Sequence, residues 1–486
     1  MRSLILVALL AALSSAQTPP AGPPAPGRGR GPGAGRGAAP SPSAPYPGTL
    51  AATEATEKLI AMVKAIAPDP AKKAGKKSPK QLEQEAAVEK ALREVLNPVP
   101  PANPNNNNTA PPVDRIKAGT AVAGEHGEFV WAVETPTQPL LQWTNIKTTS
   151  QPLKPWQLGK LWVYQGPLKT GSAYRFHWIV DGKPFGGAND LPACTVDSYP
   201  KPGVPQGKVT GPIELTSKVY PGMKSNMWFY VPAQYDGSAP VPVQVWGDGQ
   251  FYITPRPTAY RLLDTLDNLT AQKKIPVMVN VFVQPGTVDG RALRSVEYDS
   301  VDDRYSAYIL DEVLPEVEKT VKLRHDGYSR SMVGESSGGI CSFNAAYRKP
   351  DQFSRVLSWI GSFAALQVSP AEPIGGAVYP VRVRMEPKKN IRVWLQDGAE
   401  DQENQRAGSW ILQNIQLANS LKLKGYDYRF SMGPGTHSQR QGSAEFPESM
   451  VWLWRDYDPS KTTQEFVQEE SERTKPLWRV TAMSRD

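Results

Sequence analysis

Strand-like and helix-like segments alternate through the second half of this 486-residue chain, and this alternation limits its possible folds more than any other feature. Seven apolar runs have the composition of buried strands: 227–231, 243–246, 277–283, 331–334, 356–360, 391–395 and 428–432. Helical patterns accompany them at about 259–273, 303–321, 339–348, 403–424 and 445–455. Strands that alternate with helices predict a largely parallel sheet covered on both faces. We therefore assign residues 206–457 to an α/β domain.

In the preceding segment, residues 113–205, the apolar runs are short and no helical pattern separates them. Short apolar and aromatic runs, at 129–133, 161–164 and 174–180, are separated by turn signals such as Asp181-Gly182. This pattern is typical of antiparallel strands joined by short turns. It predicts an all-β, immunoglobulin-like sandwich domain ahead of the α/β domain.

The first 112 residues divide into segments of different composition. Residues 1–16 have the pattern of a signal peptide, so we expect a secreted or periplasmic protein whose mature chain begins near Gln17. Residues 17–48 are rich in Pro and Gly, which predicts a disordered segment. Two short helices are expected within 49–97, then a Pro- and Asn-rich linker at 98–112; residues 458–486 form a C-terminal tail. No other apolar run is long enough to span a membrane.

The distribution of charge and the two cysteines bear on two questions: a nucleic-acid partner and a disulfide bond. The net charge is +8, but residues 1–112 carry 13 basic against 7 acidic side chains, so the basic excess lies outside the predicted folded domains. A nucleic-acid partner is therefore not expected. The two cysteines, Cys194 and Cys341, are expected to be buried thiols, although one disulfide between them stays open.

Residues 334–338 read Gly-Glu-Ser-Ser-Gly and satisfy the G-x-S-x-G pattern of a nucleophile elbow. An apolar strand precedes the pattern and a helix follows it, which places Ser336 on the sharp turn where a nucleophilic serine belongs. Without those flanks, a plain Ser/Gly loop would be the simpler interpretation. Ser337 and Ser342 are expected to be structural or to begin the helix.

A serine nucleophile requires a general base and an acid that orients it. Of the four histidines, only His437 follows the last predicted strand, where an α/β-hydrolase places its base; His126, His177 and His325 come too early. Asp397, Glu400 and Asp401 follow the strand at 391–395 and compete for the role of the acid. We favour Asp401, because the acid of such enzymes lies a few residues beyond the strand.

An oxyanion hole requires two backbone N–H groups. One is expected from Ser337, directly after the nucleophile, and the other from the turn after the strand at 243–246, at Asp248 or Gly249. The alternative for that turn is a plain β-turn. Neither a zinc-type spacing of His or Cys nor a phosphate-binding glycine motif is present, so no metal or other cofactor is expected.

Residues 113–457 resemble the enterochelin-esterase-like members of the putative esterase family, which also includes feruloyl esterases, acetylxylan esterases and mycolyltransferases. The motifs that carry the resemblance are Val231-Pro232, Gly247-Asp248-Gly249, Arg294 with Glu297-Tyr298-Asp299, Arg304-Tyr305, Glu312-Val313-Leu314-Pro315, the Ser336 elbow, Gly361-Ser362-Phe363, the turn from Asp397 to Asp401, and Gly435-Thr436-His437. The resemblance implies an α/β-hydrolase fold whose β-sandwich helps to shape the substrate site. The family's Gly-Gly-His-Asp run is absent at His437, so siderophore specificity is not implied. Arg294 has two alternative roles: it lines the site, or it forms an internal pair with a carboxylate that holds loops together.

These features predict an exported serine carboxylic-ester hydrolase that uses Ser336, His437 and Asp401 on a small-molecule or polysaccharide-linked ester. One alternative is acyl transfer to a sugar or wall acceptor by the same residues. The other is a non-catalytic relic whose β-sandwich binds a glycan, in which the three side chains cannot meet. The acyl group, the alcohol and the oligomeric state stay open.

Overall fold

The computed structural model describes residues 54–69, 75–96, 115–125, 127–144, 154–253 and 261–479. The predicted signal peptide at 1–16, the Pro- and Gly-rich segment at 17–48, the linker at 98–112 and His126 all lie outside these residues. Within the described part of the chain, no helix is both long enough and apolar enough to cross a membrane.

The two predicted N-terminal helices are present and pack against a sheet. They are α1 (Glu54–Ile66) and α2 (Pro79–Leu96), followed by the short α3 (Arg115–Ala118). Both helices have an apolar stripe that is buried, with Leu59 and Val63 on α1 and Leu92 on α2. These side chains share a core with Val130 and Val163 of the sheet described next. The helices therefore cover one face of that sheet, a role that their sequence does not reveal.

Residues 120–193 form two antiparallel sheets that pack against each other. The first has the strand order β1 (Thr120–Ala123), β2 (Glu128–Glu134), β5 (Leu161–Pro167), β4 (Trp156–Leu158), and the second β3 (Leu140–Thr144), β6 (Ser172–Val180), β7 (Lys183–Ala193). Aromatic rings fill the space between them: Trp131 meets Phe176 edge to face, and Tyr164 meets Trp178 likewise. The three predicted strand runs all lie in these sheets, whereas the immunoglobulin-like type stays a prediction.

A ten-stranded sheet forms the centre of the α/β region. Its strands are β8 (Lys208–Thr216), β9 (Lys224–Val231), β10 (Val243–Trp246), β11 (Val279–Val283), β12 (Thr287–Val288), β13 (Arg291–Ala292), β14 (Arg330–Glu335), β15 (Arg355–Trp359), β16 (Arg392–Glu400) and β19 (Asp427–Thr436). A separate hairpin consists of β17 (Glu403–Asn404) and β18 (Gly408–Ser409). The order β11-β10-β14-β15-β16-β19 is parallel throughout, and β9 joins β11 antiparallel. The predicted parallel core of the sheet is confirmed.

Helices cover both faces of this sheet. They are α4 (Leu262–Ala271), α5 (Arg294–Tyr298), α6 (Arg304–Tyr308), α7 (Leu314–Glu318), α8 (Ser337–Arg348), α9 (Tyr379–Met385), α10 (Trp410–Leu423), α11 (Arg440–Leu453) and α12 (Glu470–Arg473); a π-helical turn, Ile309–Val313, joins α6 to α7. Helices α4 and α11 share one apolar cluster with the sheet, and α6 to α10 share the cluster on the opposite face, with Trp410 of α10 in a small cluster of its own. Strands buried on both faces explain the uninterrupted apolar runs in the sequence.

Three differences from the predicted elements affect the site. Strands β16 and β19 run about five residues beyond their apolar runs, so the turns that follow them lie side by side. Helix α10 begins at Trp410 because the hairpin β17–β18 occupies the residues before it, and the Ser409 hydroxyl accepts the N–H of Leu412 as its cap. Strand β8 was not predicted, because its Gly211-Pro212 step interrupts any apolar pattern.

The cysteines and the C-terminal segment also pack inward. Cys194 and Cys341 are both free and buried, which confirms the expected thiols. Burial raises the pKa of Cys194 to about 11, so this thiol is neutral. In the C-terminal segment, the Trp478 ring lies 4.9 Å from that of Phe430 in β19.

Candidate active site

Ser336 lies at a strained turn between β14 and α8. Its backbone has φ 54° and ψ −122°, a conformation that L-residues rarely adopt. Hydrogen bonds fix the turn, because the Ser336 N–H donates to Trp359 (2.9 Å) and its carbonyl accepts from Gly339 (2.9 Å) and Ser362 (2.9 Å). The local geometry is that of the strand-turn-helix elbow expected from the motif.

Two glycines make this turn possible. A Cβ atom on Gly334 would lie 2.3 Å from the carbonyl oxygen of Gly338, and one on Gly339 would lie 2.6 Å from the Ser358 hydroxyl. Neither contact is sterically allowed, so a side chain at either position would force the strand and the helix apart. Gly334 of the motif thus has a direct packing cause, and so does Gly339, which follows the motif. A Cβ on Gly338, the second glycine of the motif, would lie 3.6 Å from the Asp248 carboxylate, which is an ordinary contact.

Ser336, His437 and Asp401, the three residues predicted as nucleophile, base and acid, form one hydrogen-bonded chain. The Nε2 atom of His437 lies 2.7 Å from the Ser336 Oγ, and its Nδ1 atom lies 2.6 Å from the Asp401 Oδ1. The parallel pairing of β16 with β19 sets Glu400 opposite Thr436, so Asp401 and His437 follow neighbouring strands at the same height. With Nδ1 as the donor to Asp401, Nε2 is free to accept the serine proton.

The turn from Asp397 to Asp401, called the acid turn below, distinguishes the three competing carboxylates. The side chain of Asp401 is fully buried, and its Oδ1 also accepts the N–H of Gln402 at 2.5 Å. Asp397 lies behind it, where burial and then the neighbouring Asp401 carboxylate hold the pKa of Asp397 well above its usual range. Glu400 points outward and pairs with Arg175 at 3.3 Å. Among the three, Asp401 is the one in contact with His437.

The turn after β10 departs in part from its predicted role. The N–H of Asp248 donates to the Tyr298 hydroxyl at 2.9 Å, so it does not point into an oxyanion hole. Asp248 instead holds Arg294 through two hydrogen bonds of 2.7 Å each, which confirms the internal pair suggested for this arginine. Of the two residues predicted in this turn, Gly249 is left as the candidate donor. It approaches β11 so closely that a Cβ would lie 2.4 Å from the Phe282 carbonyl carbon.

Comparison with known proteins places this site in a family. Residues 219–453 match the family model described as "Putative esterase". That stretch contains the elbow, the acid turn and the loop 435–439, which carries His437 and is called the base loop below. Residues 219–453 belong to the putative esterase family. The resemblance that the motifs indicated is therefore confirmed, and the α/β fold of this region is the esterase fold.

Individual relatives of the esterase are distant. The uncharacterized protein YbbA of Bacillus subtilis (strain 168) is 21% identical over 211 residues, which cover 40% of this chain and 79% of that protein. The iron(III) enterobactin esterase of Dickeya dadantii (strain 3937) is 28% identical over 138 residues, covering 28% of this chain and 30% of that protein.

Solved structures with a similar chain path include two esterases. The enterobactin esterase of Shigella flexneri is 16% identical with a TM-score of 0.45, covering 68% of this chain and 93% of that one. A CE1 ferulic acid esterase from Anaeromyces mucronatus is 16% identical with a TM-score of 0.42, covering 53% and 93%.

The esterase site includes two residues that the sequence did not single out as functional. The Trp410 indole N–H donates to the Ser362 hydroxyl at 2.8 Å, and this hydroxyl lies 3.1 Å from the Ser336 Oγ. The Trp410 ring also meets the His437 ring edge to face, with centroids 6.1 Å apart. Since Ser336 donates to His437, the Ser362 hydroxyl is left to donate to Ser336. The Gly361-Ser362-Phe363 run was visible as a family motif, but its role depends on contacts across the fold.

Buried carboxyl groups surround the base of the elbow. Burial, with a smaller contribution from Asp248, raises the pKa of Glu335 to about 8, and its carboxyl group receives hydrogen bonds from Tyr252 (3.1 Å) and from the Gln439 amide. Burial likewise raises the pKa of Glu297 to about 7, and this side chain accepts the N–H of Gly286 at 2.9 Å. Both groups are thus wholly or partly neutral near pH 7. Within the described residues, no cluster of three or more His, Cys, Asp or Glu side chains is arranged to hold a metal ion.

Proposed function

We propose that this esterase is an exported serine carboxylic-ester hydrolase, with Ser336 as nucleophile, His437 as base and Asp401 as the orienting acid. The observation that carries the proposal is the continuous hydrogen-bonded chain from Asp401 through His437 to Ser336, with distances of 2.6 and 2.7 Å. The relic alternative requires that these side chains cannot meet, so their contact weighs against it.

In the acylation step, Ser336 Oγ attacks the ester carbonyl carbon while His437 Nε2 takes the hydroxyl proton. The carbonyl electron pair moves onto oxygen and forms a tetrahedral oxyanion. The N–H groups of Ser337 and Gly249 are the proposed donors to that oxyanion. The Ser337 N–H lies in the first turn of α8, where the positive end of the helix dipole also stabilises negative charge. When the C–O bond breaks, His437 gives the proton to the leaving alcohol, and an acyl-Ser336 ester remains.

Deacylation repeats these steps with water as the nucleophile. His437 takes a proton from water, the hydroxide oxygen bonds to the acyl carbon, and the proton then returns to Ser336 as the carboxylic acid leaves. The Asp401 carboxylate holds Nδ1 protonated throughout and offsets the positive charge that develops on the ring. No metal or cofactor takes part in this scheme.

The domain assignments complete the proposal. Residues 206–457 are the catalytic α/β-hydrolase domain and residues 113–205 the β-sandwich, with export directed by residues 1–16. The substrate class is a small-molecule or polysaccharide-linked carboxylic ester.

The proposal is tested by hydrolysis of short- and long-chain p-nitrophenyl esters and feruloyl esters. We expect Ser336→Ala to lower kcat by about 10⁴-fold or more. Ser342→Ala is the matched control: its hydroxyl caps the Gly338 carbonyl in the same helix and should leave kcat within about threefold. Equal rates for wild type and Ser336→Ala would refute the assignment of the nucleophile.

A further inference from the structure

We propose that the hairpin β6–β7 of the N-terminal β region positions the base of the active site, with Asp190 as the anchoring residue. The inference rests on the proposed function of His437 and adds to it a positioning residue from the preceding domain. Asp190 lies 246 residues from Thr436 in sequence, yet its side chain contacts both neighbours of the histidine.

The Asp190 carboxylate is surrounded by donors from the base loop. The Thr436 N–H donates to both carboxylate oxygens, at 2.9 and 3.1 Å, and the Thr436 hydroxyl donates at 2.5 Å. The hydroxyl of Ser438 donates to the same carboxylate from the other side of His437. These bonds hold the backbone on both sides of the catalytic ring.

Burial makes this anchor strong. Asp190 is 1% exposed, and a buried carboxylate is tolerated only where several donors replace its lost water. Each of the donors named above lies on the loop that carries His437, so movement of the loop would take these hydrogen bonds from a buried carboxylate. The free-energy cost of leaving the buried carboxylate without donors is larger than the gain from one exposed hydrogen bond. This cost favours a single position of the base loop.

Further contacts join the same hairpin to the same loop. The Arg440 guanidinium donates to the Asp190 carbonyl at 3.2 Å, and the Ala173 N–H in β6 donates to the Gln441 side chain at 2.7 Å. Gly435 packs directly against the carboxylate, where a Cβ would lie 3.0 Å from its oxygen. The first residues of α11 and the end of β19 are therefore both attached to the β region.

The acid turn has a weaker tether to the same hairpin. Arg175 of β6 pairs with Glu400, the residue before Asp401, at 3.3 Å. Because the Glu400 side chain is 44% exposed, the pair contributes little to stability. Asp190 is thus the main positioning contact, and Arg175 adds a second one at the acid.

The test compares Asp190→Ala, Asp190→Asn and the control Asp181→Asn in the full-length protein. Asp181 lies at the far turn of the same hairpin, accepts the Thr137 hydroxyl at 3.0 Å and does not contact the base loop. We measure kcat and KM on a p-nitrophenyl ester, and in parallel the ¹⁵N and ¹H spectra of labelled histidine. The chain has four histidines, so the His437 ring signals can be assigned by substitution.

We expect Asp190→Ala to lower kcat by about 10²-fold with little change in KM, because displacement of a catalytic group by about 1 Å has an effect of this size. The hydrogen-bonded Nδ1–H signal of His437 should be lost or broadened. Asp190→Asn, which can still accept from Thr436, should recover part of kcat, and Asp181→Asn should match wild type. A folded Asp190→Ala protein with unchanged kcat and an unchanged His437 signal would overturn the inference.

Two further arms keep the result unambiguous. If Asp190→Ala does not fold, the pair Thr436→Val and Ser438→Ala removes both hydroxyl donors and leaves the Thr436 N–H as a donor to the carboxylate. The anchor then predicts a broadened His437 signal and a lower kcat, and a variant in which both are unchanged would refute it. If wild type hydrolyses no ester, the proposed hydrolase activity fails, but the histidine spectra still test the anchor. Loss of the His437 signal on Asp190 substitution would support the anchor in that case.

Discussion

The Nε2 atom of His437 lies 2.7 Å from the Oγ atom of Ser336, although 101 residues separate them in sequence. Three structural features bring them together: the elbow before α8, the parallel alignment of β16 with β19, and the attachment of the base loop to Asp190. Each feature leads to a measurable expectation.

The carboxylate that orients the base can be identified by exchanging Asp for Asn. Asp401→Asn should lower kcat by about 10³- to 10⁴-fold, because the amide favours the wrong histidine tautomer. Asp397→Asn should retain kcat within about tenfold, since burial and the Asp401 carboxylate raise the pKa of Asp397 and favour its neutral form, and the side chain that contacts His437 is that of Asp401. Steady-state kinetics on one ester measures both variants. The reverse order of effects would make Asp397 the acid.

Ser362 should assist the nucleophile through its hydroxyl. Ser362→Ala removes the group 3.1 Å from Ser336 and also the acceptor of the Trp410 N–H, so we expect kcat to fall by about 10-fold with KM nearly unchanged. Trp410→Phe keeps an aromatic ring against His437 and should have a smaller effect. A Ser362→Ala enzyme with wild-type kcat would remove this serine from the site.

The pair of Arg294 with Asp248 should stabilise the turn at the oxyanion site. The Asp248 side chain is 2% exposed, so Arg294→Ala leaves a buried carboxylate without its ion pair. We expect the free energy of unfolding to fall by about 2 kcal/mol, a value reduced because the Arg294 side chain is 37% exposed. The control Arg304→Ala breaks an exposed pair with Asp302 and should cost less than about 0.5 kcal/mol. Urea denaturation measures both; equal losses would contradict a special role for Arg294.

Stability should decline as the pH rises from about 5 to 8. The pKa of Glu335 is raised to about 8, and the pKa values of Glu297 and Glu445 to about 7. Above about pH 4.5 these carboxyls ionise in the unfolded chain but stay protonated in the fold, so unfolding releases protons and becomes easier as the pH rises. The slope from one such group is on the order of 1 kcal/mol per pH unit within this interval.

Glu335→Gln tests the source of that decline. The variant should show a shallower fall of unfolding free energy between pH 5 and 8, because its neutral side chain does not titrate. Thermal unfolding at several pH values provides the comparison. Wild-type stability that rises with pH over this interval would contradict the assignment.

Local patterns in the sequence were sufficient to select Ser336 and His437, whose side chains the structure places 2.7 Å apart. The steric requirement for Gly334 and for small residues after Ser336 is confined to one turn, so the motif predicts the elbow. His437 was found because few histidines are available and the order of the elements excludes the others. The parallel sheet likewise follows from uninterrupted apolar runs, each of which has two buried faces.

Contacts between distant segments were not predictable in the same way. The Asp248 amide donates to Tyr298, 50 residues later, and nothing near Asp248 signals this partner. Asp190 and Trp410 have roles that depend on the meeting of separate strands and helices. Strands β16 and β19 were predicted too short because their last residues include Gly and Pro, yet those residues bring the acid turn beside the base loop.

The most direct test of the central claim is fluorophosphonate labelling followed by mass spectrometry of the intact and digested protein. We predict one phosphonyl adduct per wild-type chain, located on Ser336, no adduct on Ser336→Ala, and labelling slowed by about 10³-fold or more in His437→Gln. An adduct on another residue, an adduct that persists in Ser336→Ala, or an unlabelled wild type would contradict the claim that His437 activates Ser336.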